Sequence, residues 1–311
     1  MTASLPAAST VLAVDVGGTG IKAALCDHDC TVLAATSRGT PVADGVPAVL
    51  AAIHGVIEEL SDQARFARLE VAGVGLILPG VVDSVAGIAR YSANIGWREL
   101  AIRDLVADRV GLPVAIEHDV RAAGLAEARL GAARGVPDAV FVGIGTGIAA
   151  AGIVGGRLLT GAGNQAGEIG HQPVIPDGER CRCGQRGCAE TYASAAAIAR
   201  RYRDRTGRTA TAAEVIALAG EQDPVAAAVF DEALTALARA LIGCVLLLDP
   251  QLIVLGGGLS LAGDALLRPL TERVAAGLAW RSPVPLLAAH FGARSGQIGA
   301  ALIGWQAAAS R

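Results

Sequence analysis

Lysine is almost missing from this chain: of its 26 basic residues, every one but Lys22 is arginine. Such a bias commonly reflects coding composition, yet the survivor stands inside a glycine-rich turn, where a compact ammonium meets a phosphate differently from a guanidinium. Neither sign of charge dominates. The formal net charge is -3 and the pI about 6.0, so no overall field draws the chain to nucleic acid or to an anionic membrane. The first apolar run, residues 11–16, is too short for a signal sequence or a membrane span, and no basic stretch precedes it. A cytoplasmic protein is expected. Cysteine does not show the spacing of secreted disulfides: Cys181, Cys183 and Cys188 crowd together as a metal-binding segment would, and Cys26, Cys30 and Cys244 read as reduced thiols. What is abundant is apolar residue, 52% of 311, enough to bury the cores of two ordinary domains. The expected ligand is a small molecule.

Residues 11–16 read as a buried strand, 17–20 as a turn, 21–26 as a second strand and 31–35 as a third. Helical spacing follows over 47–60, a strand over 71–78 ending at Pro79-Gly80, an amphipathic helix over 99–110, a short strand over 114–117 and a helix over 120–130. Strands at 139–144 and 148–154 then flank Gly145-Thr146-Gly147, repeating the opening strand, glycine turn, strand pattern. Two such units predict two related α/β domains, the two-domain actin-like (ribonuclease H-like) ATPase fold with an interdomain cleft. The later part is largely helical, broken by a strand at 252–255 and the triplet Gly256-Gly257-Gly258. A last helix over 296–308 is expected to return to the first domain. The expected domains are 1–118 with 296–311, and 119–295.

The glycine turns carry the first chemistry. In Asp15-Val16-Gly17-Gly18-Thr19-Gly20-Ile21-Lys22 the glycines let backbone N–H groups wrap a phosphate, Thr19 donates, Lys22 adds a point charge, and Asp15 suits the hydrated Mg²⁺ that accompanies ATP. The alternative at this turn is a plain tight hairpin. Gly145, Thr146 and Gly147 offer a second hydroxyl among glycines, and Gly257 with Gly258 a flat backbone surface for a nucleoside. Neither a Walker lysine-serine pattern nor a dinucleotide G-x-G-x-x-G opening fits these positions.

Residues 15–22, 117–127, Gly167-Glu168-Ile169-Gly170-His171 and Cys181-Arg182-Cys183-Gly184-Gln185-Arg186-Gly187-Cys188-Ala189-Glu190 together resemble the ROK family (repressor, open reading frame, kinase) of sugar kinases and repressors. The resemblance runs from about residue 11 to 304. Along with it, His171, Cys181, Cys183 and Cys188 give the ligand set of a closed tetrahedral Zn²⁺ site, which leaves no position for water and so implies a structural metal. Such a metal would fix the loop carrying Glu168 and Glu190.

Asp119 lies where the strand at 114–117 meets the helix at 120–130, and it matches the family's catalytic base. In that role its carboxylate takes the proton of a sugar 6-hydroxyl as the oxygen attacks the γ-phosphate of ATP. A helix N-cap is the alternative use of an aspartate there. The resemblance further implies that Glu168, His171 and Glu190 meet hydroxyls at the anomeric end of the sugar, with one His171 nitrogen on zinc and the other toward the sugar. It places Gly80 and Asn94 on the opposite side of the same pocket, Asn94 also suiting a simple turn. Family members carry asparagine where this chain has His118 and Arg121; the first normally meets a hydroxyl near C3. The variant His118-Asp119-Val120-Arg121 is similar to that of kinases of N-acetylglucosamine, which makes this sugar the expected substrate, with glucose as the alternative.

Family repressors carry a winged helix-turn-helix ahead of the first glycine turn, whereas 14 residues precede Asp15 here. A kinase is therefore expected over a repressor or a non-catalytic sugar-binding protein, acting on sugar and ATP without nucleic acid or membrane partners. The family also implies a homodimer.

Overall fold

The computed structural model describes residues 9–310. They form two compact units, one ending at Ala126 and resumed from Gly296, the other Glu127–Ser295. The first unit contains, in chain order, β1 (Ser9–Val16), β2 (Gly20–Cys26), β3 (Val32–Gly39), α1 (Val46–Phe66), β4 (Glu70–Leu78), β5 (Val81–Asp83), β6 (Ile88–Tyr91), β7 (Arg98–Leu100), α2 (Ile102–Val110), β8 (Val114–His118) and α3 (Asp119–Leu130). Its main sheet has the order β3-β2-β1-β4-β8. The first three strands form an antiparallel meander, and β4 and β8 add on in parallel to β1. β1 is central, and apart from Asp15 all its residues are buried, which is why it reads as a continuous apolar run rather than an alternation. α1 buries Val49, Ile53, Val56, Ile57 and Leu60 at helical spacing, in one core with Leu12, Val14, Ile21 and Leu25 of the sheet.

The second unit continues with β9 (Ala139–Ile144), β10 (Ile148–Val154), β11 (Arg157–Leu158), α4 (Glu190–Ala193), α5 (Ala195–Thr206), α6 (Ala212–Gly220), α7 (Pro224–Leu248), β12 (Leu252–Gly256), α8 (Asp264–Ala276) and β13 (Leu286–Ala288). Its sheet, β11-β10-β9-β12-β13, repeats the plan of the first: an antiparallel hairpin run, then two parallel additions. The repeat expected from the two glycine turns is therefore present in the backbone. α7 starts on Pro224 behind Asp223, whose carboxylate accepts the N–H groups of Val225 and Ala226, both at 2.9 Å.

The chain leaves the first unit inside α3 and comes back through α9 (Ser295–Ala309). α9 lies so close to β4 that a Cβ at Gly75 would collide with the carbonyl of Ala300, and Gly73 is nearly as tight against Gly304. Where the return begins, the fully buried carboxylate of Glu127 accepts N–H bonds from Ala132 (2.9 Å), His290 and Phe291 (both 3.0 Å) and the Ser295 hydroxyl (2.9 Å). Four donors on one anion satisfy a charge that burial alone would not allow.

Some expected bounds differ from the structure, α1 running on to Phe66 rather than ending at 60. The helix expected over 99–110 begins only at Ile102, because Arg98–Leu100 pairs with β6 in a small antiparallel sheet, β5-β6-β7, and Glu99 has φ 45. The third strand runs to Gly39 rather than stopping at 35. No helix among the described residues is long and apolar enough to cross a membrane.

Candidate functional site

In the first unit, the turn between β1 and β2 is closed by Gly17 N–H to the Gly20 carbonyl at 2.9 Å. Thr40, just past β3, clamps it from the side: its hydroxyl donates to the Gly17 carbonyl at 2.6 Å and its N–H to the Thr19 carbonyl at 3.2 Å. Thr19 and Lys22 are exposed, while Asp15 stands opposite Lys22 in the strand register. Directly opposite residues of an antiparallel pair share one face of the sheet. Gly18 lies against Asn94, with room for a Cβ at 3.4 Å from the Asn94 Cβ, so the β6–β7 connection borders the turn. Gly80, with φ 97, closes on the Tyr91 carbonyl so tightly that no side chain fits there.

Asp119 opens α3, but not as an ordinary N-cap. Its Oδ1 accepts the adjacent Val120 N–H at 2.7 Å, rather than an N–H two or three residues on. The His118 Nε2 lies 3.3 Å from the same oxygen. Although 39% of the Asp119 side chain is reached by solvent, its surroundings are protein. Burial pushes its carboxyl up to about 6, against the opposing effects of the Val120 N–H and the Arg121 charge. Asp15 is likewise raised to about 6, first by burial, then by the charge of Asp119, with Lys22 opposing. Two carboxyls that feel each other, each held near neutrality by desolvation, are poised to exchange protons or to take up a divalent cation.

Next to this pair is a group that sequence reasoning missed. Arg121 is 2% exposed, and its Nε donates at 2.7 Å to Glu117, itself 7% exposed. The spacing of four was visible, but it spans a strand–helix junction, where the helical i,i+4 rule gives no guidance. Thr40 left no local signal at all.

In the second unit, the turn between β9 and β10 is closed by Gly145 N–H to the Gly147 carbonyl at 2.9 Å, and Thr146 is exposed at its tip. β12 runs parallel beside β9, pairing Gly256 with Gly143, so residues 145–147 and 256–258 emerge from neighbouring strands at the same end. Gly257, with φ 79, presses on the Ile144 backbone, whereas Gly258 faces open space. Glu190, the first residue of α4, reaches this turn: its Oε2 accepts the Ile148 N–H at 2.9 Å, and a Cβ at Gly147 would come within 2.6 Å of it.

The same unit gathers His171, Cys181, Cys183 and Cys188, whose donor atoms all lie within 4.8 Å of one another. His171 Nδ1 is 3.7 Å from Cys181 Sγ, and Cys183 Sγ is 3.6 Å from Cys188 Sγ. Tetrahedral zinc with Zn–S of about 2.3 Å and Zn–N of about 2.0–2.1 Å calls for edges of about 3.6–3.8 Å. The donor set therefore fits the metal. Burial, then the neighbouring Cys183 and Cys181, push the Cys188 thiol up to about 12, a cost of ionisation that a bound divalent cation reverses. His171 turns its other nitrogen, Nε2, toward Glu168 at 4.0 Å. The imidazole thus has one nitrogen in the sulfur cluster and one beside a carboxylate.

The ROK family profile matches residues 11–307. The chain is 35% identical to a glucokinase of Thermotoga maritima over 279 residues, 85% of this chain and 86% of that one. It is 34% identical to the N-acetylgalactosamine kinase AgaK of a Shewanella species, over 94% of this chain and 95% of that one. Among solved structures, a ROK family glucokinase from Streptomyces griseus in complex with glucose and AMPPNP superposes with a TM-score of 0.83 at 31% identity, covering 96% of this chain and 99% of that one. With a profile match over nearly its whole length and relatives aligned over most of both chains, the chain belongs to the ROK family.

Proposed function

We propose that this protein is an ATP-dependent kinase that phosphorylates the 6-hydroxyl of a hexose or N-acetylhexosamine, N-acetylglucosamine first among them. The observation that carries the reading is Asp119, a carboxyl at the β8–α3 junction raised to about 6 and coupled to Asp15 on the strand that leads into the first glycine turn. A base with that proton affinity is ionised at neutral pH and still accepts a proton readily.

In this mechanism Asp119 takes the 6-hydroxyl proton as the oxygen attacks the γ-phosphate. Mg²⁺, when bound with ATP, would supply neutralisation of the phosphate charge. Asp15 would hold that ion's water shell, and the backbone of Gly17 and Gly18 with Thr19 and Lys22 contacts the phosphates. Gly145, Thr146 and Gly147 are phosphate contacts of the second unit, and Gly257 and Gly258 serve the nucleoside. Gly80, Asn94 and His118 hold the sugar near Asp119. Glu168, His171 Nε2 and the Glu190 Oε1 take hydroxyls at its anomeric end, Glu190 Oε2 being committed to Ile148. His171, Cys181, Cys183 and Cys188 would hold a structural zinc, which would orient the ring of His171 and the loop between the two glutamates without entering any step. Three cysteines assigned to a metal, three read as reduced thiols and the need for ATP support a cytoplasmic setting.

N-acetylglucosamine comes first because the stretch His118-Asp119-Val120-Arg121 resembles that of N-acetylglucosamine kinases. Glucose is the second reading, favoured by the 35% identity to a glucokinase. Coupled ADP release with glucose, N-acetylglucosamine, mannose, N-acetylmannosamine and fructose tests both. Turnover on none of them by folded, zinc-loaded protein would leave a sugar-binding protein without catalysis.

A further inference from the structure

Arg121 is almost wholly buried, yet it is two residues from the proposed base and on the first turn of the same helix. Its Nε and Nη2 both lie 2.7 Å from Glu117 Oε1, and Nη2 also donates to the Val82 carbonyl at 2.7 Å. The same Glu117 oxygen accepts the His118 N–H at 2.7 Å. Glu117 is the penultimate residue of β8, immediately before His118 and Asp119. Val82 is the middle residue of β5, an edge strand of the small sheet, and that sheet carries Gly80 just before β5 and Asn94 between β6 and β7. One guanidinium therefore joins the segment bearing the base to the segment bearing the sugar-side residues. The planar fork matters, because it serves a carboxylate and a carbonyl at once, which a lysine ammonium on its flexible stem does not do in the same geometry.

Resting on the kinase reading above, we propose that Arg121 is a positioning residue for phosphoryl transfer: through Glu117 and the Val82 carbonyl it holds Asp119 and the Gly80–Asn94 segment in one fixed relation. Its charge acts on the base as well, drawing down the proton affinity that burial raises. Among the described residues, the charged and titratable groups that bear on Asp119 directly or through a neighbour include Asp15 from β1, with Lys22 opposite it on β2, His118 and Glu117 from β8, and Arg121 itself.

The test compares wild type with Arg121→Lys, which keeps the charge and loses the fork, and Arg121→Gln, which loses both. Three readouts are taken: kcat and sugar KM, the acid limb of kcat, and the His118 imidazole titration by NMR in protein free of sugar and nucleotide. Both variants are expected to lose kcat by about tenfold or more, since small displacements of reacting groups cost that much, with a smaller rise in sugar KM. The acid limb and the His118 midpoint move to higher pH in Arg121→Gln, where a cation has gone, and stay near wild type in Arg121→Lys. Variants that melt earlier but keep kcat, KM and acid limb within about twofold would show a structural staple and overturn the proposal, as would failure of both to fold. Wild-type protein that turns over no sugar sinks the kinase reading instead. The His118 midpoint then still decides, an unchanged value in Arg121→Gln counting against the coupling and a raised one for it.

Discussion

The sharpest consequence of the site is its pH dependence. Burial sets Asp119 at about 6 in place of its ordinary 3.8. An acid with a midpoint near 6 is about 90% ionised at pH 7 and about 10% at pH 5, so a reaction that needs the carboxylate slows roughly ninefold between them. An aspartate at its ordinary value would still be about 94% ionised at pH 5, and the rate would hardly change. Under the proposed mechanism Asp15 steepens the fall, because it too is raised to about 6 and that mechanism uses it ionised. Since the two carboxyls interact, the limb reports the pair, with a slope between one and two decades per pH unit. The assay is kcat/KM for the sugar between pH 4.5 and 8, with Mg²⁺ in excess so that the nucleotide keeps one charge; this ratio reports groups of the free enzyme. A profile flat down to pH 4.5 would refute the argument that burial tunes the base.

Four further outcomes follow from the same geometry. Asp119→Asn removes the base but keeps shape and a hydrogen bond, so kcat falls by about 10²–10⁴ while sugar affinity stays within roughly tenfold. Because the folded-state carboxyl holds its proton more tightly than the unfolded one, its ionisation costs stability as pH rises from about 3.8 through about 6; at pH 7 Asp119→Asn should therefore raise Tm, and a lowered Tm would contradict the assigned burial. Metal analysis should return about one zinc per chain, and chelation or Cys188→Ser should lower Tm and sugar affinity together, since structural zinc binding is coupled to folding. Gly257→Ala forces a Cβ onto the Ile144 backbone at φ 79, and should cost about 1–3 kcal/mol of stability and weaken ATP binding in calorimetry.

Much of this arrangement could be read from the chain. The two strand–turn–strand units were legible because β1 and β9 are largely apolar and each is followed directly by glycine, and the sulfur cluster because its cysteines lie close in sequence. Asp119 was legible only by position, at the end of one element and the start of another. The small sheet was not legible, since strands as short as Val81–Asp83 and Arg98–Leu100 are too brief to show a period of two. For the same reason Glu99 was read as the start of a helix. Thr40 and Glu127 act through partners distant in sequence, and nothing local marks a hydroxyl that clamps a turn or a carboxylate that gathers His290, Phe291 and Ser295. The Glu117–Arg121 bridge was in plain sight as a pair of charges, but its burial depends on β5 lying alongside.

The central claim is that a sugar hydroxyl loses its proton to Asp119 while a phosphate passes to it. The measurement that meets it most directly is ADP release from zinc-loaded wild type and Asp119→Asn, side by side, on N-acetylglucosamine and glucose, with the product's phosphorylated carbon located by NMR. The account predicts a 6-phosphate from wild type and almost none from the variant. A variant that retains most of the wild-type kcat, or a product phosphorylated at another carbon, would contradict it.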